Sequence, residues 1–576
     1  MKLLIVESPT KAKTIRKFLK GYYVLATYGH LLDLPPNSFG IYLKNNQIEA
    51  KYVPIKGKKK IIERIKNLSS KAEEIILATD PDREGEMIAY EIKMILPEKE
   101  HSKIKRIFVH EIIPTAFYQA LKNLTQIKES LVRAQKGRRY LDRIFGYTLS
   151  PILWKEKIGS SAGRVQSAAL RLIIEREEEI RNFKKEKYFN VYALLENFPL
   201  KLVLVDKNLK ILNLKKEELE SLKKEILKIK NLTLEKILEE KKKIYPPLPL
   251  DTENLQRMAY QFLKFPPKKT MFIAQKLFEA GYITYHRTDS HSINKNFSLK
   301  IKEFIEKNYG KNYFSLPRSK KEKISFEAHE AIRPTSLEKP NLTKDFLKLW
   351  QLILMVTIAS HFKPLEYLES KYLFKSQTEH GRHTDDTRTG FRQNTNYTQT
   401  MQGQNGQNNM SEQSVSSPNK SVILFLAINK ELIFDGFAKI FPVKEKFSKR
   451  PEVKEKENFN ILEFQFKEVE TKPPSRFNEA SLIKKMKELG IGRPSTYVPI
   501  IEILKKREYI IKEKNFLKPT EKGEAVYKFL KGRYPELVDL KFTALMEEKL
   551  DDIALDKLDY QKFVIDFWKK LKELSS

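Results

Sequence analysis

Tyr285 and Arg287 stand two residues apart in the stretch Gly281-Tyr282-Ile283-Thr284-Tyr285-His286-Arg287-Thr288-Asp289-Ser290. A phenol is a weak nucleophile at its ordinary pKa of about 10, and attacks well only when a cation or base favours the phenolate as the new bond forms. Arg287 offers a permanent charge that can face both a phosphate and that phenolate. The chain has 25 tyrosines, so the pair by itself also fits a short strand whose tyrosine packs into a core. His286, between the two, reads either as a pH-sensitive neighbour of the nucleophile or as ordinary variation. The chemistry therefore depends on partners elsewhere.

Those partners are acidic. Leu3-Leu4-Ile5-Val6 runs into Glu7, and Ile75-Ile76-Leu77-Ala78-Thr79 runs into Asp80. Continuous apolar runs of this length suit strands buried on both faces of a parallel sheet. The acid after each run then lies at the strand's C-terminal end, where open α/β sheets hold ligands. Ser8-Pro9-Thr10-Lys11 is a helix-start signal that puts Lys11 within reach of a phosphate. Pro81-Asp82-Arg83-Glu84 opens a second helix, with Ile88, Ile92 and Ile95 on one stripe. Glu7, Asp80, Asp82 and Glu84 can converge only around a hard cation, and Mg²⁺ takes one or two carboxylates plus water and phosphate oxygens. The alternative is that Asp80 and Asp82 merely cap the helix.

Composition narrows the partner. The 576 residues allow three or four domains, and 41% hydrophobic content supports real cores. Lys and Arg number 108 against 74 Asp and Glu, a net charge of +34, which calls for a polyanion, most simply nucleic acid. An anionic membrane surface would suit the charge as well, but there is no apolar run of transmembrane length, and the N-terminal run is too short for a signal peptide. A cytoplasmic protein is expected. With Cys at 0, disulfides, thiolate zinc ribbons and iron–sulfur clusters are excluded, and the absence of a Walker A pattern argues against a P-loop ATPase.

Glu7 with Asp80-x-Asp82-x-Glu84 resembles the Toprim domain shared by topoisomerases, primases and some nucleases. Joined to Tyr285-His286-Arg287-Thr288-Asp289-Ser290, it resembles the type IA DNA topoisomerases of the bacterial topoisomerase I kind. The likeness extends through Ala26-Thr27-Tyr28-Gly29-His30-Leu31, Arg138-Arg139-Tyr140-Leu141-Asp142-Arg143, Ser161-Ala162-Gly163-Arg164-Val165-Gln166-Ser167, Glu327-Ala328-His329-Glu330 and Ile491-Gly492-Arg493-Pro494-Ser495-Thr496-Tyr497. It departs at His110, where the family usually has Asn, and at Thr252-Glu253-Asn254, where it has Thr-Ser-Thr. Read without the family, the 138–143 run is a solvated basic helix face.

The resemblance implies a multidomain α/β and α+β fold, a Rossmann-like Toprim domain with helical and β-rich domains forming the type IA toroid. The expected units are a Toprim domain at 1–121; a helical base at 122–186 and 469–576, winged-helix-like at 478–523; a β-rich hinge at 187–248 and 341–468; and a tyrosine-bearing domain at 249–340. Residues 376–420, rich in Gln, Asn, Thr, Ser and Gly, are expected to be a disordered insertion. The implied catalytic residues are Tyr285, Glu7, Lys11, Arg287 and His329, and the implied metal ligands Glu7, Asp80, Asp82 and Glu84. The implied DNA-binding residues are His30, Arg138, Arg139, Asp142, Ser161, Ala162, Gly163, Arg164, Val165, Gln166, Arg287, Arg493, Ser495, Thr496 and Arg507. The cofactor would be Mg²⁺, with no ATP and no zinc, the chain ending at Ser576 without zinc ribbons. A nucleoid-associated monomer would relax negatively supercoiled DNA by cutting a single-stranded segment through a 5′-phosphotyrosine. Topoisomerase III-like decatenation, a Toprim nuclease or primase, and a non-catalytic single-strand-binding protein are the alternatives.

Overall fold

The computed structural model describes residues 1–318, 330–376 and 422–575; His329 and residues 377–420 of the expected insertion lie outside them. Lys2–Val6 and Glu74–Leu77 are the central strands of a four-stranded parallel sheet, flanked by Tyr22–Ala26 and Ile104–Arg106. Successive side chains point to opposite faces of a strand. Leu3, Ile5, Ile75 and Leu77 accordingly face one core, completed by Ile88 and Ile92 of the Arg83–Ile95 helix. Leu4, Val6, Ile76 and Ala78 face another. The chain leaves Lys2–Val6 for one side of the sheet and returns on the other, so the strand order reverses between the two central strands. The crevice beyond their C-terminal ends is the topological switch point of such a sheet. Glu7 and Asp80 stand there.

The second face is shared with a distant part of the chain. Leu255 of the Thr252–Met258 helix, Ile273, Leu277 and Phe278 of the Pro267–Glu279 helix, and Ile283 and Tyr285 beyond it pack into the same core as Leu4 and Val6. Two backbone contacts seat the join. Tyr285 N donates to His110 O at 2.8 Å. Gly281 has φ of +83°, and a Cβ there would lie 2.4 Å from Ile112 O, so only glycine allows this approach.

The helices Glu129–Lys155, Arg164–Arg181, Glu479–Glu488, Tyr497–Lys506, Leu540–Ala554 and Tyr560–Ser575 build a third core from both ends of the sequence. After Tyr497–Lys506 the hairpin Ile510–Glu513 and Phe516–Pro519 completes a helix–helix–hairpin arrangement. A fourth core fills a closed barrel of six antiparallel strands, Lys187–Leu195, Phe198–Val205, Asn231–Ile244, Leu365–Ser376, Leu424–Phe434 and Asn458–Glu470. Phe198, Tyr372, Phe374 and Phe459 meet edge to face inside it. Ser376 corrects the expected start of the insertion: it is the buried last residue of its strand, and its N–H donates to Ile423 O at 3.0 Å. Composition alone could not separate it from the polar run that follows. Among the described residues no helix is long and apolar enough to cross a membrane.

Candidate active site

The Ser8 hydroxyl caps the Pro9–Arg16 helix by accepting from Lys11 N at 3.1 Å, which turns the Lys11 side chain back over the sheet's end. Lys11 is fully buried, and its Nζ donates to Glu7 Oε1 and Asp80 Oδ1, both at 3.1 Å. Burial opposes the ammonium charge, but Glu7 and Asp80 hold the Lys11 pKa above its ordinary value. One cation between two carboxylates leaves them unequal. Burial and the negative charge of Asp80 push Glu7 up to about 8. Burial acts on Asp80 in the same sense, yet Lys11 and the proton kept on Glu7 bring it down to about 2. Glu7 Oε2 is buried and accepts no hydrogen bond.

Asp82 does two things at once. Its Oδ1 caps the Arg83–Ile95 helix, accepting from Gly85 N at 2.7 Å, and its Oδ2 accepts from Tyr285 Oη at 2.5 Å. A Cβ at residue 85 would come within 2.1 Å of Asp80 O, so Gly85 is what lets the Asp80 and Asp82 backbones fold so tightly. Arg106, fully buried, clamps the same loop by donating to the carbonyls of Leu77 and Thr79 at 3.1 Å and of Asp80 at 2.9 Å, while Glu86 holds its Nε at 2.9 Å. Arg287 donates to Glu84 Oε2 at 2.6 Å and stands 3.9 Å from Asp82 Oδ2. Glu84 thus anchors Arg287 at the rim, apart from the Glu7–Asp80 pair it was grouped with. His30 links Glu84 at 3.7 Å to Glu91 at 2.7 Å. Burial would lower its pKa, but those two carboxylates raise it to about 10, so it is cationic.

Tyr285 is 2% exposed and packs edge to face on Phe278, with ring centroids 5.2 Å apart. Burial, then the charges of Asp82 and Asp80, raise its pKa well above the ordinary value. Its hydroxyl is therefore held as a phenol. His286 is buried, and desolvation with the nearby Arg287 lowers its pKa to about 3. It therefore stays neutral at physiological pH, which removes it as a pH sensor.

A family model described as DNA topoisomerase matches residues 126–423 and 400–565, and a Toprim domain model matches residues 2–112. DNA topoisomerase 1 of Aquifex aeolicus is 40% identical over 583 residues, covering 100% of this chain and 99% of that protein. The chain belongs to the type IA DNA topoisomerases. DNA topoisomerase 1 of Campylobacter jejuni is 37% identical over 596 residues, 99% of this chain and 79% of its own length. The solved structure of full-length topoisomerase I from Thermotoga maritima superposes with a TM-score of 0.83 at 34% identity, covering 100% of this chain and 90% of that one. The multidomain type IA fold is therefore shared along the chain, and membership of this isomerase family sets aside a Toprim nuclease, a primase and a non-catalytic binder.

In this topoisomerase, Arg138 does not lie on the solvated basic face expected of the 138–143 run, and neither it nor Arg164 is solvated. Both are buried, Arg138 donating to Glu547 Oε2 at 2.5 Å and Arg164 to Glu547 Oε1 at 2.7 Å and to Asp142 at 3.3 Å. Arg493 donates to Asp551 at 2.5 Å, and Arg83 pairs with the same carboxylate. Arg139 is exposed, its guanidinium forked onto Asp33. Ser161 is held by Tyr509, which receives its N–H at 2.9 Å and donates to its carbonyl at 2.7 Å; Ala162 N donates to Ser150 Oγ at 3.1 Å. Gly163 precedes the Arg164–Arg181 helix as a cap without a side chain, Val165 is buried, and Gln166 folds back onto Ser161 O at 3.2 Å. Thr496 braces the Arg493 backbone at 2.9 Å, Ser495 is partly exposed and Arg507 exposed. Sequence reasoning missed Glu547, Asp551 and Arg106. The signal for Glu547 was an acid on the apolar stripe Met546, Leu550, Ile553, a position that demands a buried cation.

Proposed function

We propose that this type IA topoisomerase relaxes negatively supercoiled DNA without ATP, cutting one strand, passing the other through the gap and resealing the cut. The observation that carries the reading is the meeting in one crevice of Tyr285 Oη, 2.5 Å from Asp82, with Arg287 beside it and Lys11 bridging Glu7 and Asp80. Tyr285 attacks a phosphodiester in a single-stranded segment. The Oη–P bond forms as the P–O3′ bond breaks, giving a 5′-phosphotyrosine and a free 3′-hydroxyl. The phenolic proton moves towards Asp82, which already accepts it. Glu7, with its pKa near 8, holds a proton at neutral pH and gives it to the departing O3′. Lys11 and Arg287 stabilise charge on the phosphate, and by family likeness His329 assists there. Rejoining runs the same transfers backwards, and transesterification keeps the bond energy, so no nucleotide is consumed.

Glu7, Asp80 and Asp82 suit Mg²⁺ in one respect: once Glu7 has given up its proton, its buried, unpartnered Oε2 is an acceptor that a hard cation would satisfy. Among the described residues no three carboxylate or imidazole groups stand together at metal-holding spacing, so the ion would complete its shell with water and phosphate oxygens. Such an ion would supply positive charge beside the phosphate during rejoining. The single strand would lie along Arg139, Ser161, Gly163, Gln166, Ser495, Thr496 and Arg507, with Arg138, Arg164 and Arg493 behind them. The working domains of this cytoplasmic, nucleoid-associated monomer follow the expected units, except that the insertion begins after Ser376 and the Lys344–Ala359 helix joins the core of the tyrosine-bearing unit. The test is to incubate the protein with end-labelled single-stranded DNA, with and without Mg²⁺, and to separate the products under denaturing conditions. A covalent adduct is expected from the wild type and none from Tyr285→Phe; an adduct at wild-type level in that variant ends the assignment.

A further inference from the structure

One exposed aromatic at the mouth of the crevice has no part in the chemistry above. Tyr28 follows the strand Tyr22–Ala26 and is 63% exposed, more than any other aromatic side chain among the described residues. Its φ is +61°, the left-handed region that disfavours a side chain, and a non-glycine residue kept there points to a constraint imposed from outside the local backbone. The turn is strapped in place. Thr27 N donates to Val6 O at 2.9 Å and Gly29 N to Glu7 O at 3.0 Å, so Tyr28 sits between two hydrogen bonds to the strand that ends in Glu7. Lys58 Nζ donates to the carbonyls of Thr27 at 3.0 Å and Tyr28 at 2.5 Å, and lies 6.0 Å from the Tyr28 ring centroid. His30, two residues on, joins Glu84 and hence Arg287. No other ring packs on Tyr28, and its hydroxyl has no hydrogen-bond partner among the described residues.

We propose that Tyr28 is a positioning residue, a stacking platform for one nucleobase of the single strand next to the phosphate held at Glu7, Lys11 and Arg287. The inference rests on the single-strand reading given under Proposed function. An aromatic face accepts any base, and a neighbouring cation suits the adjoining phosphate, the combination by which proteins hold single strands without reading sequence. The strained, tied turn explains why the ring stands in water instead of folding back: its orientation is fixed before DNA arrives, which lowers the ordering cost of binding.

The proposal is tested by fluorescence anisotropy of labelled single-stranded oligonucleotides in a Tyr285→Phe background, so that binding is read without cleavage. Tyr28→Leu keeps the backbone cost and the bulk but loses the π-face; it should weaken binding about 5- to 100-fold, while Tyr28→Phe and Tyr28→Trp remain near the parent. An abasic site is then walked along the oligonucleotide. At one position near the cleavage point it should reproduce the Tyr28→Leu loss in the parent and add nothing in Tyr28→Leu. Losses that add at every position, or Phe behaving like Leu, overturn the proposal, as does an unchanged affinity in a Tyr28→Leu protein whose thermal melt matches the parent. Adduct formation by the wild type on the unmodified oligonucleotide is followed in parallel. Its absence would count against the cleavage reading, while the abasic walk still decides on Tyr28.

Discussion

The molecule holds two charge clusters whose balances are opposite. At the switch point of the parallel sheet, Glu7, Asp80, Asp82 and Glu84 face Lys11, Arg287 and His30, and the result is unsettled: a carboxyl raised to about 8, an unpartnered oxygen, a phenol whose ionisation is opposed. In the helical base, Arg138, Arg164 and Arg493, joined by Arg83 from the Arg83–Ile95 helix, face the buried Glu547 and Asp551. Glu547 is also desolvated, but there Arg138, Arg164 and Arg493 overcome burial and hold its carboxyl far below the usual range. A cluster with acid in excess gains from a cation; one with guanidinium in excess keeps its carboxylates ionised and leaves a positive field for phosphate. The first suits chemistry and the second holds shape, although both are built from ion pairs.

The comparison can be broken most severely at Tyr285. Tyr285→Phe removes only the hydroxyl held by Asp82, and the remaining ring still packs on Phe278. Adduct formation on denaturing gels should vanish while the melting curve is unchanged. Next in size is Glu547→Gln, which leaves Arg138 and Arg164 facing one another without their shared anion. Removing one partner of a buried pair costs about 3–5 kcal/mol, so a thermal scan should show a clear drop in melting temperature. If Glu547→Gln melts like the wild type, the base cluster does not stabilise the fold.

Glu7 sharpens the contrast through pH. Between its ordinary value of 4.5 and about 8, the folded chain keeps a proton that the unfolded chain has released. The folded state binds more protons in that window, so stability should fall as pH rises through it. Melting temperatures from pH 5 to pH 8 should decline more steeply for the wild type than for Glu7→Gln, and parallel curves would show that Glu7 is ionised throughout. The smallest effect is expected at Arg139, whose pair with Asp33 is exposed. Arg139→Ala should change stability by less than about 1 kcal/mol. It should also reduce the slope of log affinity for single-stranded DNA against log salt by about 0.7, the loss of one phosphate contact.

Much of this could be read from short stretches because the determining forces are local. Leu3-Leu4-Ile5-Val6 and Ile75-Ile76-Leu77-Ala78 are apolar at every position, which suits a short strand covered on both faces, and that places Glu7 and Asp80 at the strand ends. Ser8 caps its helix as its type and position foretell. Asp82 was offered as a helix cap or a metal ligand; in the structure one oxygen caps the helix and the other accepts from the Tyr285 hydroxyl. The run 138–143 misled because a helical charge run says nothing about the acid that a remote helix brings to it: Arg138 and Glu547 are 409 residues apart.

The sequence by itself determined the strands, the helix starts, the acids at the strand ends and the family, since hydrophobic periodicity, capping and motif spacing act over a few residues. Only the tertiary structure decided who faces whom. Tyr285 and Asp82 are 203 residues apart, and their 2.5 Å hydrogen bond exists because Leu4, Val6 and Ile76 share a core with Phe278 and Ile283. The upward shift of the Glu7 pKa, the downward shift of His286 and the burial of Arg164 were likewise decided there. Desolvation and Coulomb energies depend on the distances and the water that packing leaves, and residue order does not specify these.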